Sequence, residues 1–225
     1  MTTEWTETLP DTLPGNPMQM VAEWLAQARS DAAQPNPNAM VLATVGADGQ
    51  PSARVVLCKD ISVEAAFITF YTNYDSQKGR ELAGNPLAAI VFHWDHRRRQ
   101  VRAEGRVERL SDADNDAYFA SRPWRSQLGA WASHQSQPVP SRGALARAVA
   151  AAALRLGIEY GGPGCKEPDA EPAGIPRPAN WGGFRFNVSA LELWMEGEYR
   201  IHDRARWTRT SGSESPTWCV TRLQP

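Results

Sequence analysis

The sequence predicts an α+β fold, in which an antiparallel Greek-key β-barrel carries flanking helices. Two observations lead to this class. Segments typical of strands fill most of residues 39–110 and return after residue 183, and three helical segments occupy residues 111–156 between them. Strands before and after an inserted helical block are typical of one barrel that the C-terminal segment closes.

Composition limits both the domain count and the possible partners. The 225 residues suffice for one core, and we predict a flexible arm over residues 1–16 and a single domain over 17–225 with a Gly/Pro-rich loop insertion at 157–178. With 24 Lys and Arg against 25 Asp and Glu, no overall basic field favours nucleic acid or a membrane surface. Neither a leader nor a long apolar run is evident, so we expect a cytoplasmic protein.

The first helix and the first five strands follow from local signals. Asn16 and Pro17 predict a helix start, followed by one apolar face made of Met18, Val21, Trp24, Leu25 and Ala28. Strands are predicted at residues 39–45, 51–59, 67–72, 87–94 and 100–110, the first two joined by a Gly46–Gly49 turn. The apolar run at 87–94 predicts a strand that is buried on both faces.

The second half of the chain is predicted as helices followed by strands. Ser111 and Asp114 indicate the start of a helix through residue 121, and further helices are predicted at 127–134 and 142–156. Strands are predicted at residues 183–188, 191–194, 199–209 and 217–223, the last two across an SGSES loop.

The central stretch, residues 67–86, runs from a strand into a helix that Ser76 can cap. The free N–H groups at that helix start, together with Lys78, form a plausible phosphate site. The same residues also fit a capped helix that binds nothing, with Lys78 as a solvated charge. The chain has further anion-binding side chains, from which two phosphate sites could be built: Arg54, Lys59, Arg122, Arg125, Arg200 and Arg204.

Other chemistries are poorly supported by the sequence. His93 and His96 lack a third ligand, so no metal site is predicted, and no serine lies in a G-x-S-x-G motif. Cys58, Cys165 and Cys219 have no C-x-x-C spacing and are interpreted as free thiols. The basic run at residues 96–102 fits a solvated hairpin better than a nucleic-acid surface.

Several ordered motifs resemble those of the FMN-dependent pyridoxine/pyridoxamine 5′-phosphate oxidases. The most specific are SRPWRSQLGAWASHQS at residues 121–136 and RIHDR at 200–204. Others are ARVVLCK at 53–59, FYTNYDSQKGREL at 70–82, RRRQVRAEGRVERL at 97–110, WGGFRF at 181–186, LELW at 191–194 and the terminal RLQP. They extend over most of the chain from about residue 17, apart from the 157–178 insertion.

The resemblance implies a six-stranded antiparallel Greek-key split barrel with flanking helices, in a homodimer with FMN sites at the subunit interface. It implies FMN contacts from Arg54, Val55, Val56, Leu57, Lys59, Tyr71, Thr72, Gln77, Lys78, Gln100, Gln135, Ser136, Trp194 and Arg204. The substrate phosphate would contact Lys59, Tyr118, Arg122 and Ser126. Arg200 and His202 would be the catalytic residues, lying over the pyridine ring. No metal is implied.

The implied reaction is oxidation of pyridoxine or pyridoxamine 5′-phosphate to pyridoxal 5′-phosphate, with O2 as acceptor and H2O2 released. Three features depart from the family pattern: Gln77 replaces a usual arginine, the N-terminal arm lacks a basic segment, and the 157–178 insertion is long. Two alternatives stay open at this point. One is a related flavin oxidase of phenazine-type metabolism, and the other is a non-catalytic protein that binds flavin or pyridoxal phosphate.

Overall fold

The computed structural model describes residues 7–162, 172, 174–210 and 217–225. Within these residues the helices are α1 Met18–Asp31, α2 Gln77–Gly84, α3 Asp112–Ala120, α4 Trp124–Ala132 and α5 Arg142–Arg155. The strands are β1 Ala39–Val45, β2 Pro51–Leu57, β3 Asp60–Ser62, β4 Phe67–Asn73, β5 Leu87–Trp94, β6 Arg99–Arg109, β7 Trp181–Met195, β8 Asp203–Arg209 and β9 Trp218–Leu223.

The chain divides into two compact units. The first comprises the described residues of Met1–Phe70, Gly84–Glu108 and Arg185–Pro225, and the second comprises those of Tyr71–Ala83 and Arg109–Phe184. The prediction of one domain over residues 17–225 stays a prediction. None of the described helices is both long enough and apolar enough to span a bilayer.

Antiparallel strands make up most of the first unit. The strand order in the sheet is β2-β1-β5-β6-β7-β4-β3, with β8 paired to β7 and β9 paired to β8. The described residues thus contain nine strands, whereas the resemblance implied a six-stranded barrel. The short strand β3 was not predicted. Strand β2 was predicted to reach residue 59 but ends at Leu57, because the Lys59 N–H donates to the Thr69 carbonyl of β4 instead of pairing with β1.

The predicted bounds of β1 and β5 are confirmed, but the predicted burial of β5 is wrong. Ile90, Phe92 and Trp94 are buried on one face, whereas Leu87 on the other face is 57% exposed. An antiparallel sheet commonly covers only one of its faces with core, so alternate residues of β5 remain accessible.

Helix α1 buries the five apolar residues that its periodicity predicted. Asn16 contributes at the helix start as expected, because its Oδ1 accepts the Met18 N–H at 3.0 Å. Residues 7–16 differ from the expected flexible arm. Leu9 is 1% exposed, and the Pro14 carbonyl accepts the Trp207 Nε1–H at 2.8 Å, so tertiary contacts within the first unit hold this segment despite its polar composition. Residues 1–6 lie outside the described part.

The C-terminal strands differ from the prediction in two places. The segments 183–188 and 191–194 belong to one strand, β7, because pairing with β8 from Ala190 to Met195 carries it through the weak strand-forming residues near Ser189. The segment 199–209 becomes a strand only at Asp203. Tyr199 and Arg200 have φ values of 54° and 65°, which end any extended conformation there. The SGSES loop lies outside the described residues.

In the second unit, helices α3, α4 and α5 pack around an aromatic cluster. Phe119, Trp124, Leu128 and Trp181 are buried together, with Ala152 and Ala153 of α5 against them. Ser111 caps α3 as predicted, since its Oγ accepts the Asp114 N–H at 3.1 Å. The predicted helix at 127–134 begins earlier, at Trp124, because Pro123 starts the helix as well as stopping α3.

Candidate active site

The start of α2 brings together the polar residues of the predicted phosphate site. Lys78 is 8% exposed, and its Nζ donates to Gln135 Oε1 at 2.9 Å, Thr72 Oγ1 at 3.2 Å and Ser76 Oγ at 3.4 Å. Thr72 Oγ1 in turn donates to Gln135 Oε1 at 3.1 Å. Burying an ammonium group is costly unless hydrogen bonds compensate, and three uncharged oxygens provide them here. The interpretation of Lys78 as a solvated charge is therefore wrong.

Backbone geometry keeps this helix start in place. Ser76 Oγ accepts the Gly79 N–H at 3.3 Å, which confirms the predicted cap. A Cβ at Gly79 would lie 2.1 Å from the Tyr74 carbonyl oxygen, so only glycine allows this close approach. Tyr74 is itself held, because its hydroxyl donates to the Gly183 carbonyl at 3.1 Å and accepts from Asn115 Nδ2 at 3.2 Å.

Gln77 does not join the Lys78 cluster. Its side chain is exposed, and its Nε2 donates to Glu81 Oε1 at 2.8 Å, one helical turn away. Ser136 adopts a positive φ of 68° directly after Gln135, and its side chain is exposed.

A stack of aromatic rings lies elsewhere in the second unit. The Tyr71 ring stacks on Tyr118 with centroids 3.8 Å apart, and on Trp181 with centroids 5.3 Å apart. The guanidinium of Arg122 lies 4.5 Å from the Trp181 ring centroid. Trp181 was not predicted as a site residue. The two glycines after it were a usable signal, because paired glycines in a strand indicate that another group packs closely against the backbone. A Cβ at Gly183 would come within 2.7 Å of Tyr71.

Arg122 is the charged group of this stack. Its Nη1 is buried and has no hydrogen-bond partner among the described residues, and desolvation by burial lowers the pKa of the guanidinium. The side chain lines a cavity of about 450 Å³ together with Ser121, Gln127 and Ile175. A buried arginine nitrogen without a partner beside open space is suited to an anionic ligand. Ser126, predicted with it, is exposed on α4.

In the first unit, Arg54 lies on β2 opposite Leu42 of β1. Its guanidinium donates to the Leu42 carbonyl at 3.3 Å and to the hydroxyls of Thr44 and Ser52. The neighbouring predicted residues Val55, Val56 and Leu57 continue β2, where Val55 is 65% exposed. Lys59 follows the strand, and Gln100 on β6 pairs with His93 of β5.

A third group of predicted residues lies where β7 and β8 meet. The rings of Trp194 and His202 have centroids 4.7 Å apart, and the Gly197 N–H donates to His202 Nδ1 at 3.3 Å. That hydrogen bond requires an unprotonated Nδ1, so a neutral His202 carries its proton on Nε2. Arg204 donates two hydrogen bonds to the buried carboxylate of Glu192. Glu192 was not predicted as a site residue. An acid within the apolar strand segment LELW was the available signal.

The expected strand geometry of Arg200 and His202 is wrong. A strand over residues 199–209 would have placed both side chains on one face and Ile201 on the opposite face. Instead Arg200 ends a 3₁₀ turn, Glu198–Arg200, and Ile201 is 70% exposed. The chain approaches itself so closely in this turn that a Cβ at position 197 would lie 1.8 Å from the Ile201 carbonyl oxygen, so the turn requires Gly197.

The sequence matches two family descriptions. "Pyridoxamine 5′-phosphate oxidase" covers residues 27–155, and "Pyridoxine 5′-phosphate oxidase C-terminal dimerisation region" covers residues 181–225. A protein of Rhodopseudomonas palustris named pyridoxine/pyridoxamine 5′-phosphate oxidase is 46% identical over 211 residues, covering 93% of this chain and 90% of that protein. A protein of the same name from Methylibium petroleiphilum is 48% identical over 212 residues, covering 93% and 89%.

Two solved structures resemble this one over most of its length. PhzG from Burkholderia lata 383, in complex with tetrahydrophenazine-1-carboxylic acid, has a TM-score of 0.78 at 28% identity and covers 96% of this chain and 100% of that one. An FMN-binding protein of Nostoc punctiforme has a TM-score of 0.68 at 17% identity and covers 96% and 99%. These likenesses confirm the predicted split-barrel fold. By both family descriptions and its curated relatives, the chain belongs to the pyridoxine/pyridoxamine 5′-phosphate oxidase family.

Proposed function

We propose that this protein is an FMN-dependent oxidase that converts pyridoxine 5′-phosphate or pyridoxamine 5′-phosphate to pyridoxal 5′-phosphate, with O2 as acceptor and H2O2 as product. The observation that carries the substrate assignment is Arg122. A cation packed against an aromatic ring, with a buried nitrogen that has no hydrogen-bond partner in the described part of the chain, suits the phosphate of a small aromatic ligand. Family membership supports the reaction class.

The residues present fit FMN. The α2 start offers an ammonium, hydroxyl groups and helical N–H groups, which is the donor set that a phosphate monoester needs. We assign Tyr71, Thr72, Gln77, Lys78, Gln135 and Ser136 of the second unit to FMN. From the first unit we assign Arg54, Val55, Val56, Leu57, Lys59, Gln100, Trp194 and Arg204.

FMN supplies the two-electron acceptor for oxidation at the substrate C4′ atom, so the protein needs to bind and orient rather than provide a nucleophile. Tyr118, Arg122, Ser126 and Lys59 are proposed to hold the substrate phosphate. Arg200 and His202 are proposed to orient the pyridine ring. His202 can donate a hydrogen bond from Nε2, because its Nδ1 already accepts the Gly197 N–H.

We also propose a homodimer. The name of the matched C-terminal region supports it, and so does an apolar surface on β1 and β2. Val55 is 65% exposed and its cross-strand neighbour Val41 is 38% exposed, with Leu57 at 36% on the same strand as Val55. Because alternate residues share one face of a strand, these side chains form a continuous patch. Exposed apolar patches of this kind are typical of interaction surfaces.

The second candidate function is oxidation of a tricyclic phenazine precursor, which the likeness to PhzG favours. The decisive experiment measures H2O2 release from FMN-loaded protein supplied with pyridoxine 5′-phosphate, pyridoxamine 5′-phosphate or tetrahydrophenazine-1-carboxylic acid. We expect peroxide from the two phosphates. Peroxide from the phenazine compound alone would assign the second function, and FMN binding without peroxide from any of the three would indicate a non-catalytic binder.

A further inference from the structure

Glu192 is a buried acid between two arginines in the first unit. It lies on β7 with 3% exposure, and both of its carboxylate oxygens are used. Oε1 accepts from Arg204 of β8, from Nε at 3.0 Å and from Nη2 at 2.8 Å. Oε2 accepts from Nη1 of Arg102 on β6 at 3.3 Å. One carboxylate thus links three neighbouring strands of the sheet.

These contacts leave Arg204 in one defined orientation. Besides the two bonds to Glu192, its Nη1 donates to the Gln224 carbonyl at 3.0 Å. Three of the five N–H groups of a guanidinium are therefore used, on three different nitrogens, which fixes the plane of the group. The other two, one on Nη1 and one on Nη2, have no hydrogen-bond partner among the described residues, and the Arg204 side chain is 25% exposed.

The balance of charge also suits a ligand. Glu104 belongs to the same cluster, because its Oε1 lies 3.9 Å from Arg102 Nη2 and its Oε2 lies 2.8 Å from Arg206 Nη2. The two acids, Glu104 and Glu192, thus face three arginines: Arg102, Arg204 and Arg206. The cluster therefore keeps a net positive charge at a site where a buried carboxylate holds the arginines together. Because Glu192 is almost fully buried, solvent ions screen its attraction to Arg204 only weakly.

We propose that Glu192 is a positioning residue for FMN, which acts by holding the Arg204 guanidinium ready to contact the cofactor. This inference rests on the proposed function, since Arg204 is assigned to FMN there. A pre-oriented donor binds more tightly than a mobile one, because the cost of ordering the side chain is met during folding rather than during binding. The Gln224 carbonyl makes the C-terminal segment part of the same support.

Glu104 offers a matched control. It lies on β6, and it holds Arg206 of β8 through two hydrogen bonds, at 2.8 and 3.2 Å, in the way that Glu192 holds Arg204. Arg206 has no assigned role toward the cofactor. Glu104→Gln therefore makes the same chemical change to an arginine–carboxylate pair that joins β6 to β8. It removes no hydrogen bond to Arg204, although Glu104 Oε1 also lies 3.9 Å from Arg102 Nη2.

The experiment titrates apoprotein into FMN, follows the quenching of flavin fluorescence, and uses the melting temperature of the apoprotein to check folding. We expect Glu192→Gln to raise the FMN Kd at least about fivefold, and Glu104→Gln to change it less than twofold. In an Arg204→Met background, Glu192→Gln should add less than a twofold change, because its effect passes through Arg204. General damage to the sheet would weaken FMN binding equally in both backgrounds.

The outcomes separate the two proposals. Failure of the wild-type protein to bind FMN would overturn the proposed function and this inference together. Wild-type binding with an unchanged Kd in Glu192→Gln would overturn only the inference, and so would an equal loss in both Arg204 backgrounds. A loss confined to the background that retains Arg204 supports the positioning role.

Discussion

The Nζ atom of Lys78 donates a hydrogen bond to Oε1 of Gln135 across 2.9 Å, although the two residues are 57 positions apart in the chain. Thr72 bonds the same amide oxygen, so residues from β4, α2 and the segment after α4 meet at one acceptor. A lysine held in this way presents its charge at a defined point. The role proposed for it is to contact the phosphate of FMN.

Replacement of this lysine tests that role. Lys78→Met should raise the FMN Kd about 10- to 100-fold, because hydrogen bonds to a charged group contribute about 1.5–3 kcal/mol each. The measurement is fluorescence titration, together with the FMN content of the purified protein. Arg80→Met is the control, since Arg80 is exposed on the same helix. Equal FMN affinity in Lys78→Met and wild type would remove Lys78 from the cofactor site.

Catalysis and cofactor binding should separate between two arginines. Arg200→Ala is expected to retain the spectrum of bound flavin while kcat/KM for pyridoxine 5′-phosphate falls at least about tenfold, which corresponds to about 1.4 kcal/mol of transition-state stabilisation. Arg54→Ala should instead lose flavin first. The control is Arg98→Ala. Arg98 is near the same turn and pairs with Glu196, with Nε 3.6 Å from Oε2. Normal turnover in Arg200→Ala would contradict its catalytic assignment.

Gln77 offers a test of the departure from the family pattern. Gln77→Arg should tighten FMN binding, but only weakly, because the new guanidinium can pair with Glu81 one turn away. The double variant Gln77→Arg with Glu81→Gln should show a larger gain, up to about 1–3 kcal/mol. The FMN Kd values of the single and double variants decide this. Weaker binding in both would mean that position 77 does not face the phosphate.

The two described cysteines should differ in reactivity. Burial raises the pKa of the Cys58 thiol to about 12, whereas Cys219 is exposed. A raised thiol pKa means that the reactive thiolate is present only as the pH approaches that value, so at pH 8 roughly one Cys58 in 10⁴ is ionised. Iodoacetamide treatment of the folded protein, followed by peptide mass spectrometry, should label Cys219 and spare Cys58. Comparable labelling of Cys58 at pH 8 would contradict its burial.

The proposed dimer can be tested at its apolar surface. Val55→Asp should shift the protein from a dimer of the 24.8 kDa chain toward monomer in sedimentation velocity, because it places a charge in the patch. Leu154→Asp, at a side chain 82% exposed on α5, provides a control with an equally exposed apolar residue. A dimer that survives Val55→Asp unchanged would exclude this patch as the subunit contact.

The sequence by itself determined those features that depend on neighbours in the chain. The apolar face of α1 follows from its 3.6-residue periodicity, and the caps at Ser76 and Ser111 require only the N–H group three residues later. The bounds of β1 and β5 follow from strand-forming runs ended by turn residues. The resemblance of ordered motifs was enough to identify the family, because such motifs are properties of the chain alone.

Only the tertiary structure decided the contacts that join distant residues, because no local pattern records which group will satisfy a buried charge. It showed that Lys78 is buried against Gln135 and that Glu192 holds Arg204 and Arg102. It also placed Arg200 in a turn with φ of 65°, where alternation in the sequence had predicted a strand. That turn depends on the close approach of Gly197 to the Ile201 carbonyl, an interaction set by the chain reversal between β7 and β8 rather than by the propensities of its residues.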